Sequence, residues 1–252
     1  RLPEKNKRTE HEGHWGYESG NKFIAEGLPL NTFFMPKYAG VNKTTGEAMW
    51  YKDTLDEEGN VTGRETTTVY DDATDYLCDD PTPLFYGGFG TSLEFYGFDI
   101  SASFTYSVGG LTYDSGYAGY MGSPSQSSAG NNFHKDILKS WTPENPNTNV
   151  PRLDGDTSVG QTAVDNYLIS SNFLSVNNIT IGYSLPATVT SRMKISGLRI
   201  YVAGDNLAVV SARRGVDPRY SMGLGSFTSG SGLNSGSYSA MRTVTGGITL
   251  TF

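Results

Sequence analysis

A strict alternation of apolar and polar side chains begins at Tyr96 and continues to Gly109. Glycine, serine and threonine dominate its odd positions, and its even positions are Tyr96, Phe98, Ile100, Ala102, Phe104, Tyr106 and Val108. Because successive side chains of a strand point to opposite faces, the pattern predicts one apolar and one polar face. The run also reaches the roughly 9–11 residues that a membrane strand needs, whereas ordinary strands average roughly 5–6.

Four further segments alternate in the same way. The phase changes at Tyr96-Gly97, which predicts a tight hairpin with Gly97 in the turn. The segment before this turn carries Leu93 and Phe95 on one face. Three later strands are predicted from the apolar series Ile179, Ile181, Tyr183, Leu185, then Leu198, Ile200, Val202, and finally Val244, Gly246, Ile248, Leu250, Phe252.

The connections between these strands differ in length. The links at 96–97 and 186–197 are short, whereas those at about 52–82, 110–172 and 209–240 are long and rich in Gly, Ser, Asn, Asp and Pro. Short turns at one end and long loops at the other are typical of an outer-membrane barrel. The alternation alone also fits a water-soluble β-sandwich, in which each strand has a core face and a wet face.

Composition excludes several classes of protein. The net charge of −7 and pI near 5.0 disfavour nucleic-acid binding. The single cysteine, Cys78, excludes a disulfide framework and a multi-cysteine zinc site. No apolar run approaches the roughly 18 residues of a membrane helix. The charged start, Arg1 to Arg8, has neither an initiator Met nor an apolar signal core, so we expect processing or a longer parent chain.

Candidate chemistry is sparse. His11-Glu12-Gly13-His14 lacks the spacing that places two imidazoles on one helix face, so no metal site is predicted there. Cys78 lies among aspartates, which disfavour a thiolate. The acidic clusters at 53–58 and 71–80 fit solvated loops, although oxygen-rich loops can also hold calcium. No catalytic constellation emerges, and we expect neither an enzyme nor a cofactor.

Aromatic residues in or beside the long connections are the best ligand-contact candidates. Their flat faces can stack on sugars or line peptide pockets. The alternative is an interfacial girdle or simple loop packing. The candidates are Trp50, Tyr113, Tyr117, Tyr120 and Trp141.

Several motifs resemble the SusC/RagA-type TonB-dependent outer-membrane transporters. The segments 173–186, 197–207 and 242–252 are similar to the last strands of that family, and Gly215-Val216-Asp217-Pro218 fits its G-x-D-P loop. Residues 83–89 resemble a family strand start, and 141–152 a family loop motif. Shorter matches are Gly27 to Leu30, Tyr38 to Val41 and Thr45 to Glu47.

This resemblance implies an all-β fold, a transmembrane antiparallel β-barrel. The family barrel has 22 strands, and this chain would supply roughly the last eight to ten, at about 9–11 residues each. The signal peptide, TonB box, plug domain and earlier strands would lie outside it. Phe98, Ile100, Phe104, Ile248 and Leu250 would face lipid, and Asp99, Ser101, Ser103, Thr245 and Thr249 the lumen or plug. The terminal Phe252 would be read by the barrel-insertion machinery.

The implied function is energised import of large nutrients, oligosaccharides or peptides, across the outer membrane of a Gram-negative bacterium. The implied partners are the remainder of the same transporter, a SusD-like lipoprotein lid, the TonB complex and outer-membrane lipid, with dimers of transporter–lid pairs. Two alternatives stay open. One is a secreted β-sandwich that binds glycans, and the other is a complete small barrel acting as a pore or adhesin.

Overall fold

The computed structural model describes residues 8–122, 130, 132–154, 163–220 and 240–252. Strands dominate it. In chain order the elements are β1 Thr9–His11, β2 His14–Glu18, β3 Lys22–Ala25, β4 Thr32–Pro36, β5 Tyr38–Val41, β6 Ala48–Leu55, β7 Val61–Thr67, β8 Asp75–Leu77, β9 Phe85–Phe95, β10 Phe98–Val108, β11 Leu111–Tyr113, α1 Ser115–Met121, β12 Leu168–Ser170, β13 Phe173–Ser184, α2 Ala187–Thr190, β14 Gly197–Ser211 and β15 Thr243–Thr251. No helix in the described ranges is long and apolar enough to cross a membrane.

The chain divides into two compact units. The described parts of residues 1–82 and 111–169 form the first unit, which contains short strands and most of the buried side chains. The second unit comprises Pro83–Gly110, Ser170–Tyr220 and the described end of the chain. It contains one antiparallel sheet with the strand order β15-β14-β13-β10-β9.

The five strands of this sheet include all the predicted alternating segments. β10 has 11 residues, β13 has 12 and β14 has 15. β9 and β10 form the predicted hairpin, in which Tyr96 at φ 48° and Gly97 at φ 87° make the turn. The strand therefore begins at Phe98, and Tyr96, where the alternation starts, is a turn residue.

Five of the described strands reach nine residues, and they are the five that the alternation marks. The connections between them contain further, shorter elements. The 52–82 connection contains β7 and β8, and 110–172 contains β11, α1 and β12. Only the start and end of 209–240 are described, and β14 extends into it as far as Ser211.

Two irregularities keep the apolar side chains of the sheet on one face. On β13 the apolar positions change from odd numbers, such as Ile179, to even numbers, such as Val176. The register against β10 shifts at this point, and Asn177 is the extra residue of a β-bulge. Since a one-residue insertion reverses the alternation, the bulge returns Val176 to the face of Ile179. The neighbouring β14 accommodates the shift around Asn206, whose φ is 51°.

An ion pair crosses the sheet on its polar face. Asp99 of β10 accepts hydrogen bonds from Arg199 of β14, with Nε–Oδ1 at 2.9 Å and Nη2–Oδ2 at 2.5 Å. The two residues are separated by β13, which presents Gly182 between them. A Cβ built on Gly182 would lie 2.6 Å from Arg199 Nη2 and closer still to the Asp99 carboxylate. Gly182 therefore leaves the space that the bidentate pair needs.

The first unit has a charged group inside its aromatic core. Lys22 is 6% exposed, and its Nζ donates to the Asn31 carbonyl at 2.9 Å. The same nitrogen lies 3.0 Å from the centroid of the Phe33 ring. Burial lowers the pKa of Lys22 to about 7, against a smaller opposing effect of Asp80. A cation–π contact and one carbonyl thus offset only part of the desolvation cost.

The Gly182 packing generates the first prediction. Gly182→Ala should destabilise the sheet by about 1–3 kcal/mol, the usual cost of inserting a methyl group into a packed site. Urea unfolding of the protein measures this loss of stability. Gly246→Ala is the matched control, because its Cβ would meet nothing nearer than the Tyr201 carbonyl at 4.0 Å. The Gly182→Ala cost should disappear in an Asp99→Ala background, and an unchanged cost there would contradict the explanation.

Lys22 generates the second prediction. Between pH 7 and about 10.4 the unfolded chain holds more protons on this lysine than the folded chain. Stability of the first unit should therefore rise with pH across this window and stay level below it. Lys22→Met should remove the rise, and Lys135→Met at an exposed site should retain it. Tryptophan fluorescence during urea unfolding reports on this unit, since Trp15, Trp50 and Trp141 all lie in it. The same slope in wild type and Lys22→Met would contradict the assignment.

Candidate functional site: a two-faced sheet

The strand register aligns the apolar side chains of the second unit in rows. One row runs through Phe95, Phe98, Tyr183, Ile200 and Ile248. The next rows are Leu93, Ile100, Ile181, Val202 and Gly246, then Thr91, Ala102, Ile179, Gly204 and Val244. Because every row joins side chains on the same side of the sheet, the result is one continuous apolar surface.

Aromatic rings mark both ends of this surface. At the hairpin end Phe98 and Tyr183 have ring centroids 4.6 Å apart. At the other end Phe89 stacks on Phe104 at 4.8 Å, next to the row that holds Tyr106. From Phe98 to Tyr106 the rise along β10 is about 26 Å at roughly 3.3 Å per residue. An apolar band about 25 Å tall between aromatic girdles is typical of the outer surface of a membrane barrel.

The side chains of the apolar surface are largely exposed. Phe98 is 51% exposed and Ile248 is 67% exposed. Other large side chains of the face are exposed as well, namely Phe85, Phe89, Leu93, Phe95, Ile100, Leu174, Ile181, Ile200, Val202, Val210, Val244 and Leu250. Phe104 is half-buried under Phe89. An apolar surface of this extent marks contact with a membrane or another protein.

The opposite face is polar and built from small residues. Ser92, Ser101, Thr180, Ala203 and Thr245 form one of its rows. The Asp99–Arg199 pair lies nearer the hairpin end, where the Arg199 guanidinium is 5.0 Å from the centre of the Tyr201 ring. That ring in turn covers Gly247 on β15. Such a surface suits water or a polar partner.

A second polar cluster ties the G-x-D-P loop to this face. Asp217 is buried and receives hydrogen bonds from the Arg219 side chain at 2.7–3.2 Å. Arg219 Nη1 also donates to the hydroxyl of Ser175, a fully buried residue, at 3.0 Å. Ser175 donates to Asn177 Oδ1 at 2.8 Å, and Thr105 donates to the same atom at 3.2 Å. The motif thus fixes the loop onto the β-bulge.

The predicted ligand-contact aromatics do not come together in one site. Trp50 is 1% exposed and Tyr113 is 6% exposed, and both pack in the core of the first unit. Both rings are thus enclosed by neighbouring core side chains of this unit. Tyr117 donates to Asp136 at 3.1 Å and is partly buried. Tyr120, which is 55% exposed, is the most accessible of the five.

Trp141 packs against a turn of the first unit. Its Nε1 donates to the Lys43 carbonyl at 3.1 Å, and its ring covers Gly46 at φ 77°. Arg152 at the end of the same motif donates through Nη1 to the Thr45 carbonyl at 2.8 Å. The contacts of Trp141 and Arg152 therefore hold the 42–46 turn in place. Sequence reasoning identified the motif by resemblance but gave no signal for this contact.

The remaining candidates for chemistry have structural explanations. His11 and His14 face each other across the β1–β2 hairpin, with Glu12 and Gly13 in its turn. His11 Nε2 lies 2.8 Å from Glu18. Burial, followed by the charge of Asp165, raises the pKa of the Cys78 thiol to about 11, so the nucleophilic thiolate is disfavoured. No group of three or more His, Cys, Asp or Glu in the described ranges is placed to hold a metal ion.

The chain is similar in sequence to known TonB-dependent receptors. No protein-family model matches the chain. It is 28% identical over 260 residues to TonB-dependent receptor P3 of Formosa agariphila, an alignment that covers 95% of this chain and 24% of the receptor. It is 30% identical over 121 residues to TonB-dependent receptor P26 of the same organism, covering 46% of this chain and 12% of that receptor.

Among solved structures, the chain is similar to an outer-membrane transporter. The RagAB peptide transporter superposes with a TM-score of 0.74 at 27% identity, covering 94% of this chain and 24% of the transporter chain. The open-open state of the RagAB peptide importer gives a TM-score of 0.73 at 25% identity, covering all of this chain and 25% of that chain. The chain spans about a quarter of the length of these relatives.

These relatives are named as receptors and transporters, not enzymes. The all-β fold expected from the alternation is confirmed by the likeness to transporter barrels. The resemblance based on the motifs is confirmed too: in sequence and in fold, the chain is similar to about a quarter of a SusC/RagA-like TonB-dependent outer-membrane transporter.

Proposed function

We propose that this chain forms part of the barrel wall of an outer-membrane, TonB-dependent nutrient importer. The observation that carries the proposal is the exposed apolar face of the five-stranded sheet, about 26 Å tall by strand rise and bordered by aromatic rows. Phe98, Ile100, Phe104, Ile248 and Leu250 face lipid. The row of small polar residues and the Asp99–Arg199 pair line the lumen or meet the plug.

Further strands of the same transporter complete this wall. β9 and β15 are the edge strands of the sheet, so within the described residues each pairs on one side only. In hydrocarbon an unpaired strand edge leaves backbone groups without hydrogen bonds, a cost of several kcal/mol per group. Phe252 follows β15 and is 88% exposed.

The cargo is a large nutrient, an oligosaccharide or a peptide. The likeness to the RagAB peptide transporter supports a peptide and supports a SusD-like surface lipoprotein as the partner. The TonB complex energises transport through the remainder of the transporter, and transporter–lid pairs form dimers in the outer membrane of a Gram-negative bacterium. The exposed apolar face counts against a secreted β-sandwich, because the inner faces of a sandwich are buried against each other.

The proposed orientation makes the third prediction. Ile179 lies in the middle row of the apolar band, and Ile200 lies in the row of the hairpin end. Ile179→Arg should destabilise the complete protein in vesicles by about 2–4 kcal/mol, and Ile200→Arg by only about 0–1 kcal/mol. Ile100→Arg should fall between them. The matched control is Thr180→Arg, next to Ile179 but on the polar face. A larger cost for Thr180→Arg than for Ile179→Arg would reverse the assignment of the two faces.

The fourth prediction concerns transport. Cells that produce the complete protein should accumulate fluorescently labelled oligopeptides or oligosaccharides in the periplasm. Uptake should fall to background when TonB is deleted and when the surface lipoprotein is deleted, because both are required for an energised, lidded importer. A passive pore predicts a different result, since its uptake would persist without TonB. Outer-membrane levels of the protein, measured by immunoblot, are the control for each strain.

A further inference from the structure

An open groove of about 660 Å³ lies in the first unit between the β5 segment with its following turn and the 147–149 segment. This volume is within the roughly 300–1,000 Å³ range of ligand sites. Its polar lining includes Asn42, Lys43, Asn147, Thr148 and Asn149, and Met49 contributes an apolar patch. None of the five aromatic ligand-contact candidates lines it.

Long-range contacts fix the two sides of the groove relative to each other. Tyr38 Oη donates to the Asn149 carbonyl at 3.0 Å, and Trp141 Nε1 donates to the Lys43 carbonyl. Arg152 N donates to the Gly46 carbonyl at 2.8 Å. A groove held in this way is pre-organised, so that binding does not require the loops to become ordered first.

The charge of the groove favours an anionic occupant. Lys43 is exposed and is the single charged residue of the lining. It forms no ion pair with any residue in the described ranges, and no carboxylate lines the groove. This local positive charge stands out in a chain whose net charge is −7. The exposed amides of Asn147 and Asn149 supply both donors and acceptors beside it.

We propose that this groove binds an extended acidic peptide segment, with a carboxylate of the peptide on Lys43. The inference rests on the proposed import function, for which the peptide is cargo. Asparagine amides pair with both the N–H and the C=O groups of a peptide backbone. Met49 adapts to side chains of different shape. A glycan fits less well, because the lining contains no aromatic face on which a sugar ring could stack.

Peptide binding to the complete protein in detergent tests the inference. The probes are a fluorescein-labelled hexapeptide with two glutamates and a matched peptide with glutamines in their place, both read by fluorescence anisotropy. The acidic peptide should bind more tightly, and 0.5 M NaCl should remove its advantage. Lys43→Gln should lower the affinity for the acidic peptide about fivefold, the upper range for a solvent-exposed ion pair. The affinity for the neutral peptide should stay unchanged. Asn147→Ala should weaken both peptides equally.

Lys135→Gln is the matched control, because Lys135 is an exposed lysine of the same unit outside the groove. Equal losses for Lys43→Gln and Lys135→Gln, or equal affinities of the two peptides for wild type, would overturn the inference. Lys43-dependent binding of tetragalacturonate in preference to both peptides would overturn it in favour of an anionic glycan.

If uptake in cells depends on TonB but Lys43→Gln changes no affinity, the groove assignment fails and the importer proposal stands. If binding depends on Lys43 but uptake does not depend on TonB, the groove stands and the importer fails.

Discussion

Antiparallel pairing of five long strands is the constraint on which the second unit depends. Pairing aligns alternate side chains of each strand in rows, so a single register error would mix apolar and polar groups on both faces. The bulge at Asn177 shows how closely sequence and register agree, because the odd-to-even change of the apolar positions occurs where the extra residue is inserted. The same bulge then supplies the polar atoms that hold Ser175 and, through it, the G-x-D-P loop.

The two faces of this sheet have different packing requirements. On the apolar face large side chains stand next to each other, and hydrocarbon is a suitable surrounding for all of them. On the polar face a bidentate ion pair spans three strands, which is possible only because the middle strand has no side chain at Gly182. Gly247 likewise leaves room for the Tyr201 ring. Glycine in these strands therefore makes space for larger groups from a neighbouring strand.

The sequence predicted the long strands well and the first unit poorly, for physical reasons. A long strand with one apolar face repeats its signal at every second residue, as β10 does. β4, in contrast, is buried along its whole length from Thr32 to Pro36, and β1 and β8 have three residues each, too few for a period to show. The burial of Trp50 depends on Val164 and Tyr70, and the distant partner Val164 could not be inferred from the local sequence.

The first unit owes its fixed shape to hydrogen bonds between distant parts of the chain. Tyr38 N donates to Asp165 across 127 positions, and Tyr70 Oη donates to the Ala163 carbonyl across 93. Closing such long loops costs only slightly more entropy than closing short ones, because the cost grows with the logarithm of length. A few well-made contacts are therefore enough to hold a segment rich in Gly, Asn and Pro in one arrangement. The groove proposed to bind peptide is consequently positioned by a folded scaffold, which is the usual basis for recognition by loops.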